Sequence, residues 1–206
     1  MRFYKVLNTN LTARNGGTYQ YRVGEWTPPI EQLEPCESGY HVCQESDLIE
    51  WLGPVICPVD LRGPFLRANS KTVATSIRIE APLATWNERT QRLFACDCAE
   101  RVLPVFERDC PDDTRPRLAI ETARLYAVGE ATKGELTAAL DAAVVAAGYA
   151  AGYAADAAGA ATSDAAWGAT SDAAWGAASA AASDAAWDAE RQWQTQRLME
   201  YLRGEA

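Results

Sequence analysis

Residues 85–109 read TWNERTQRLFACDCAERVLPVFERD, and within them the chain changes character. Phe94, Cys98, Val102 and Phe106 recur at every fourth position, and Leu93 and Leu103 widen the row into a stripe. That spacing marks one face of an α-helix. Asn87 or Thr85 supplies a capping oxygen at its start, while Pro104, lacking an N–H, predicts a kink or a pause. Downstream, Pro111-Asp112-Asp113-Thr114 is a helix-start signal for a second helix over about 115–128 that ends at Gly129. Thr132 or its neighbours open a third. Upstream the pattern is that of strands. Residues 2–7 and 18–23 alternate, with Asn15-Gly16-Gly17 as turn chemistry between them. Pro28-Pro29 and Pro35 then break regular structure, and Ser46 and Asp47 can cap a short helix ending near Trp51-Leu52-Gly53. Residues 54–60 and 73–79 read as further strands, separated by a loop over 62–70. The expected fold class is α+β. A small, mostly antiparallel sheet unit occupies 1–83, and an Ala-rich α-helical bundle occupies 84–206.

Composition divides at the same place. All ten prolines lie between Pro28 and Pro116, whereas residues 138–190 hold 27 alanines in 53 positions. The whole-chain charge of −9 is equally uneven: −1 over 1–83, −2 over 84–130 and −6 over 131–206. A pI near 4.7 with no Lys/Arg cluster leaves no electrostatic footprint for direct nucleic-acid binding. The longest uncharged run of the Ala-rich region, residues 142–155, is 14 long and too short to span a bilayer. No signal-peptide core stands in MRFYKVLNTN, so the expectation is a cytoplasmic chain whose six cysteines are reduced thiols.

Within the Ala-rich region, Ser-Asp-Ala-Ala-Trp occurs at 163–167, 171–175 and 183–187. Alanine is the best helix former, so helix is expected despite Gly168 and Gly176. On a straight helix Trp167, Trp175 and Trp187 fall at roughly 0°, 80° and 200° and form no single stripe. Two uses remain open. The tryptophans fill gaps between closely approaching small-residue helices, or they form a partner surface beside the aspartates. Imitation of DNA fits poorly. The aspartates lie roughly 12–18 Å apart along a helix, against one duplex charge per about 1.7 Å.

The sharpest polar cluster is Cys36-Glu37-Ser38-Gly39-Tyr40-His41-Val42-Cys43. Thiolates and imidazole suit zinc, and Cys57 could add a fourth ligand, but the spacing matches no common finger. Buried thiols beside a turn are the alternative. His41 is the only histidine, so nucleophilic catalysis of the Ser-His or Cys-His kind would run through it. Otherwise it is a structural residue on or near a strand. Cys98 fits the helical stripe and Cys96 falls about 200° from it. Carboxylates and arginines alternate along 88–124; Arg117 and Glu121 stand four apart and can pair, and Arg115 and Arg117 suggest pairing with Asp112, Asp113 or a neighbouring helix. No P-loop, GxGxxG, HExxH or nucleophile elbow is present, and no catalytic residue or cofactor is assigned.

The run Asp97-Cys98-Ala99-Glu100-Arg101-Val102-Leu103-Pro104, with Phe106-Glu107, Pro111-Asp112-Asp113, Arg115-Pro116-Arg117, Ala119-Ile120-Glu121, Ala123-Arg124 and Gly129-Glu130, resembles the immunity-protein family of bacterial polymorphic-toxin loci. That resemblance covers about the C-terminal half and implies a protein partner. Relatives in that family carry histidine among the alanines where this chain has tryptophan, which implies a different partner. The 36–43 run resembles an uncharacterised domain at the start of some phage proteins, with C-x-[SN]-G-[FY]-H-x-C after an initial strand. A phage or prophage origin follows as an implication.

The expected function is therefore non-enzymatic binding of immunity or anti-defence type, occluding a toxin, nuclease or host defence protein. Its expected contact residues are Asp164, Trp167, Asp172, Trp175, Asp184 and Trp187. An enzyme or zinc module centred on Cys36, His41 and Cys43 (with Cys57), and a structural phage protein oligomerising through its helices, are the alternatives.

Overall fold

The computed structural model describes residues 2–14, 16–147 and 184–206, together with Asp172, Ala173, Gly176 and Ser179. The chain divides into two compact units, Met1–Trp86 and Asn87–Ala206. An antiparallel four-stranded sheet precedes helices, so the fold class is α+β as the sequence predicts.

In the first unit β1 (Phe3–Leu7), β2 (Tyr40–Gln44), β3 (Val55–Ala68) and β4 (Lys71–Ile79) close into a barrel in the order β1-β2-β4-β3. Closure explains one departure from expectation. Residues 18–23 are not a strand, because β2 and β3 take both edges of β1. The alternation there serves packing instead: Tyr21 is buried with Leu7, Tyr40, Val42 and Cys57, and its backbone N–H donates to Leu11 O at 3.0 Å. The expected loop over 62–70 is also a correction. It is mostly strand, paired as far as Ala68↔Lys71, with a register shift between Arg62 and Phe65 and a turn through Asn69, φ 34°. Gly63, φ 77°, sits in that shift, which marks a bulge in the strand.

The expected short helix is a 3-10 helix, Glu45–Glu50, capped by Gln44. Asp47 closes it from inside: its carboxylate accepts the Gln44 N–H at 3.0 Å and both Arg67 guanidinium N–H groups at 2.5 and 2.7 Å. Burial opposes ionisation of Asp47, but these hydrogen bonds outweigh it and hold the carboxyl below its ordinary range.

Lys5 shares the face of β1 that Leu7 presents to the barrel core, and is 8% exposed. Its ammonium donates to His41 O at 2.6 Å and lies 5.3 Å from the Tyr21 ring centroid.

In the second unit α1 (Glu88–Asp109), α2 (Arg115–Val128), α3 (Lys133–Ala147) and α4 (Asp184–Arg203) are described. Asn87 caps α1, its side chain accepting from the Thr90 N–H. α1 runs on through Pro104 without interruption, since Val102, Leu103 and Phe106 are buried on both sides of the missing donor. α2 ends on Gly129 at φ 81°, a left-handed residue that glycine adopts without strain. Both faces of α1 are covered. Cys96 is fully buried, its Sγ 3.8 Å from Ile120 O on α2, although it lies off the apolar stripe. Phe94 meets Tyr201 of α4 edge to face at 6.0 Å.

Burial lowers the Lys5 ammonium from 10.5 to about 8, with a small opposing contribution from Cys43. Below pH 8 the folded chain carries the full cost of a buried charge, about 3 kcal/mol at about 1.4 kcal/mol per pH unit. As pH rises from 8 to 10.5 the folded state loses its proton before the unfolded chain does, and the cost disappears. Lys5→Met should therefore stabilise the chain at about pH 7, with an advantage that shrinks steadily up to about pH 10. Chemical denaturation of wild type and variant across that range checks it, and the difference between them cancels other titrating groups.

Candidate functional site

The helical unit gathers charged groups from three helices around one largely buried carboxylate, Asp97. Asp97 lies one position before Cys98 of the apolar stripe, at the edge where α1 meets both α2 and α4. Its Oδ1 accepts from Arg124 of α2 at 2.7 Å, and its Oδ2 accepts from Arg197 Nε at 2.7 Å and Tyr201 Oη at 2.8 Å, both on α4. The Asp97 side chain is only 10% exposed.

Around it the pairs continue, both across helices and along α4. Arg124 also reaches Glu100 at 2.5 Å, and Arg197 reaches Glu200 at 2.6 Å. Arg101 donates to the buried Glu190 at 2.6 Å, with its guanidinium 4.6 Å from the Trp193 ring centroid. Arg117 grips Glu107 of α1 through two hydrogen bonds of 2.8 Å, so it pairs across helices rather than along α2 to Glu121. Arg115 holds Asp113 in the same two-pronged way.

The hydroxyl of Tyr201 stays protonated: burial raises it first, and the adjacent Asp97 charge raises it further. Burial pulls the Arg197 guanidinium down, but Glu200 and Asp97 more than restore it. A cleft of about 480 Å³ opens beside the network, lined by Asp97, Glu100, Arg101, Trp193, Arg197 and Glu200 among others. Its acids face cations already in contact with them, which is the chemistry of a brace between helices. The sequence reading does not single out residues 190, 193, 194, 197 and 201. Their three- and four-residue spacing along α4 is the signal that could have found them.

The six expected contact residues stand differently. Asp164, Trp167 and Trp175 lie outside the described residues. Asp172 is helical and exposed, Asp184 opens α4, and Trp187 on α4 is half-buried. Among the described residues nothing brings these together.

The cysteine–histidine run forms a wall of the barrel. Gly39, φ 112°, has no room for a side chain, since a Cβ would stand 2.4 Å from Val73 Cγ1. His41 is on β2, and its Nε2 accepts the Cys36 N–H at 2.8 Å, locking the loop that leads into the strand. Cys43 and Cys57 are buried, and burial above all pushes their thiols up to about 12 and about 11. Neutral thiols of this kind are poor nucleophiles. No three of Cys36, His41, Cys43 and Cys57 form a group able to hold a metal among the described residues. No described helix is long and apolar enough to cross a membrane.

Removing the central carboxylate leaves two guanidiniums and a phenol facing one another in a half-buried seam. Asp97→Ala should cost about 2–3 kcal/mol of stability, whereas Glu107→Ala, at a more exposed pair, should cost at most about 1 kcal/mol. Denaturant unfolding of the full chain ranks the two.

The residues of this network are largely those of the immunity-like run. Residues 81–201 match the family described as "Imm-5 like putative immunity protein". Residues 1–90 match a domain of unknown function, DUF7666. No curated protein and no solved structure matches the chain. Because the first match covers more than half of the 206 residues, and its charged positions build the brace that holds α1, α2 and α4, the chain belongs to the Imm-5 like immunity family.

Proposed function

We propose that this protein is a non-enzymatic immunity or anti-defence factor that binds a protein toxin, nuclease or host defence protein and occludes it. The observation that carries this reading is the family membership over residues 81–201. Asp97, Glu100, Arg101, Glu107, Arg117 and Arg124 already meet one another or α4, and we assign recognition to other positions. The acidic C-terminal region, −6 over 131–206, suits a partner with a basic face.

Asp164, Trp167, Asp172, Trp175, Asp184 and Trp187 are the proposed contacts. The indoles supply apolar anchors and the aspartates steer and orient. Inhibition on this reading is stoichiometric and needs no turnover.

The test begins with co-purification from the native host or from phage-infected cells, followed by affinity measurement against the identified partner. Changing Trp167, Trp175 and Trp187 together to alanine should weaken binding at least about 100-fold, equivalent to one or two interface anchors. Circular dichroism must show the helices intact. Unchanged affinity with an intact fold overturns the contact assignment, and a partner whose activity survives saturating binding overturns occlusion.

A further inference from the structure

The barrel unit contains a cavity that the immunity reading does not use. It encloses about 780 Å³, within the range of about 300–1,000 Å³ typical of small-molecule sites. Two properties define its chemistry.

The first is charge. Lys5, Arg14 and Lys71 line the cavity, against one carboxylate, Glu37. Lys5 is buried, and its partners are neutral: the His41 carbonyl and the face of Tyr21. Lys71 donates to Cys36 Sγ at 2.9 Å and lies 5.1 Å from the Trp51 ring centroid. An ammonium taken out of water without a counter-charge is costly, and an anion entering the cavity relieves that cost. The field reaches His41 as well: burial first, then the charges of Lys5 and Lys71, push its imidazole down.

The second is the wall. Tyr19, Tyr21 and Tyr40 meet edge to face, with centroid separations of 4.9, 5.8 and 6.3 Å. Tyr40 is fixed by donating its hydroxyl to Pro28 O at 2.9 Å. Tyr19 is 38% exposed, which leaves part of its ring available at the surface. Rings held this way stack or edge-pack against another planar group.

We propose that this cavity binds a small aromatic anion, a planar ring bearing a carboxylate or phosphate, with the charge received by Lys5 and Lys71 and the ring packed on the three tyrosines. The loop from Cys36 to His41, held by the His41 imidazole and by the space that only glycine fits at position 39, keeps the wall in place before the ligand arrives.

Calorimetric titration of the full chain with four probes tests this: phenyl phosphate, benzoate, phenol and inorganic phosphate. Phenyl phosphate or benzoate should bind at one site, at least tenfold more tightly than phenol or inorganic phosphate. Lys5→Met and Lys71→Met should each weaken that binding at least tenfold, and Tyr19→Ala several-fold. Lys5→Met removes a buried charge and is expected to fold, and Lys71→Met at the cavity rim provides the second, independent check. The proposal is overturned if neither aromatic anion saturates a site. It is equally overturned if phenol matches phenyl phosphate, if inorganic phosphate matches it, or if neither lysine variant changes the affinity.

Discussion

A carboxylate that is one-tenth exposed must find its positive charge within the protein, and at Asp97 that requirement joins three helices. Arg124 brings α2, while Arg197 and Tyr201 bring α4. Part of what α1 offers its neighbours is small, since Ala95, Cys96, Cys98 and Ala99 are all fully buried, and such contacts carry little direction of their own. A carboxylate has two oxygens in fixed directions, and a guanidinium meets them only from certain angles. The charge network therefore adds directional constraints to a register that the buried Phe94, Leu103 and Phe106 also hold.

The barrel contains the opposite arrangement. Lys5 is as deeply placed as Asp97, yet its ammonium faces a carbonyl and a ring rather than a carboxylate. A matched buried charge acts as structure. An unmatched one lowers stability and persists where something else supplies the missing charge. Asp47 shows that the same barrel can match a buried charge when the position is structural, because Arg67 from β3 grips both of its oxygens. The contrast between Asp47 and Lys5 is internal to one small unit, which is why Lys5 stands out.

Much of this was legible in sequence. The four-residue stripe from Phe94 to Phe106 located α1, Gly129 closed α2, and the polar run Asp112-Asp113-Thr114 preceded it. What misled was local chemistry overruled by topology. Residues 18–23 alternate like a strand, but a closed barrel offers them no edge. Residues 62–70 contain Gly and Pro and read as a loop, yet β4 is long enough to pair with most of them. Cys96 reads as lying off the buried face of α1 because a single stripe assumes one neighbour, and α1 has two. The partners of Asp97 on α4 lie 100 and 104 residues away, a separation that no local pattern encodes.

The cysteine–histidine run shows how several residues of one motif can each serve the architecture. Two thiols and an imidazole stand within eight residues, and each has a place in the barrel unit. Cys43 is buried there, His41 holds a backbone N–H, and Gly39 passes where a side chain would collide. Spacing reports that residues are needed together, and it does not report for what. The same logic applies to the immunity-like run, in which Asp97, Glu100, Arg101, Glu107, Arg117 and Arg124 pair with one another or with α4. A family signature that maintains a scaffold is free of the demand to match a partner. On the function proposed above, recognition falls to the acidic Ala-rich segment, apart from the paired charges that brace α1, α2 and α4.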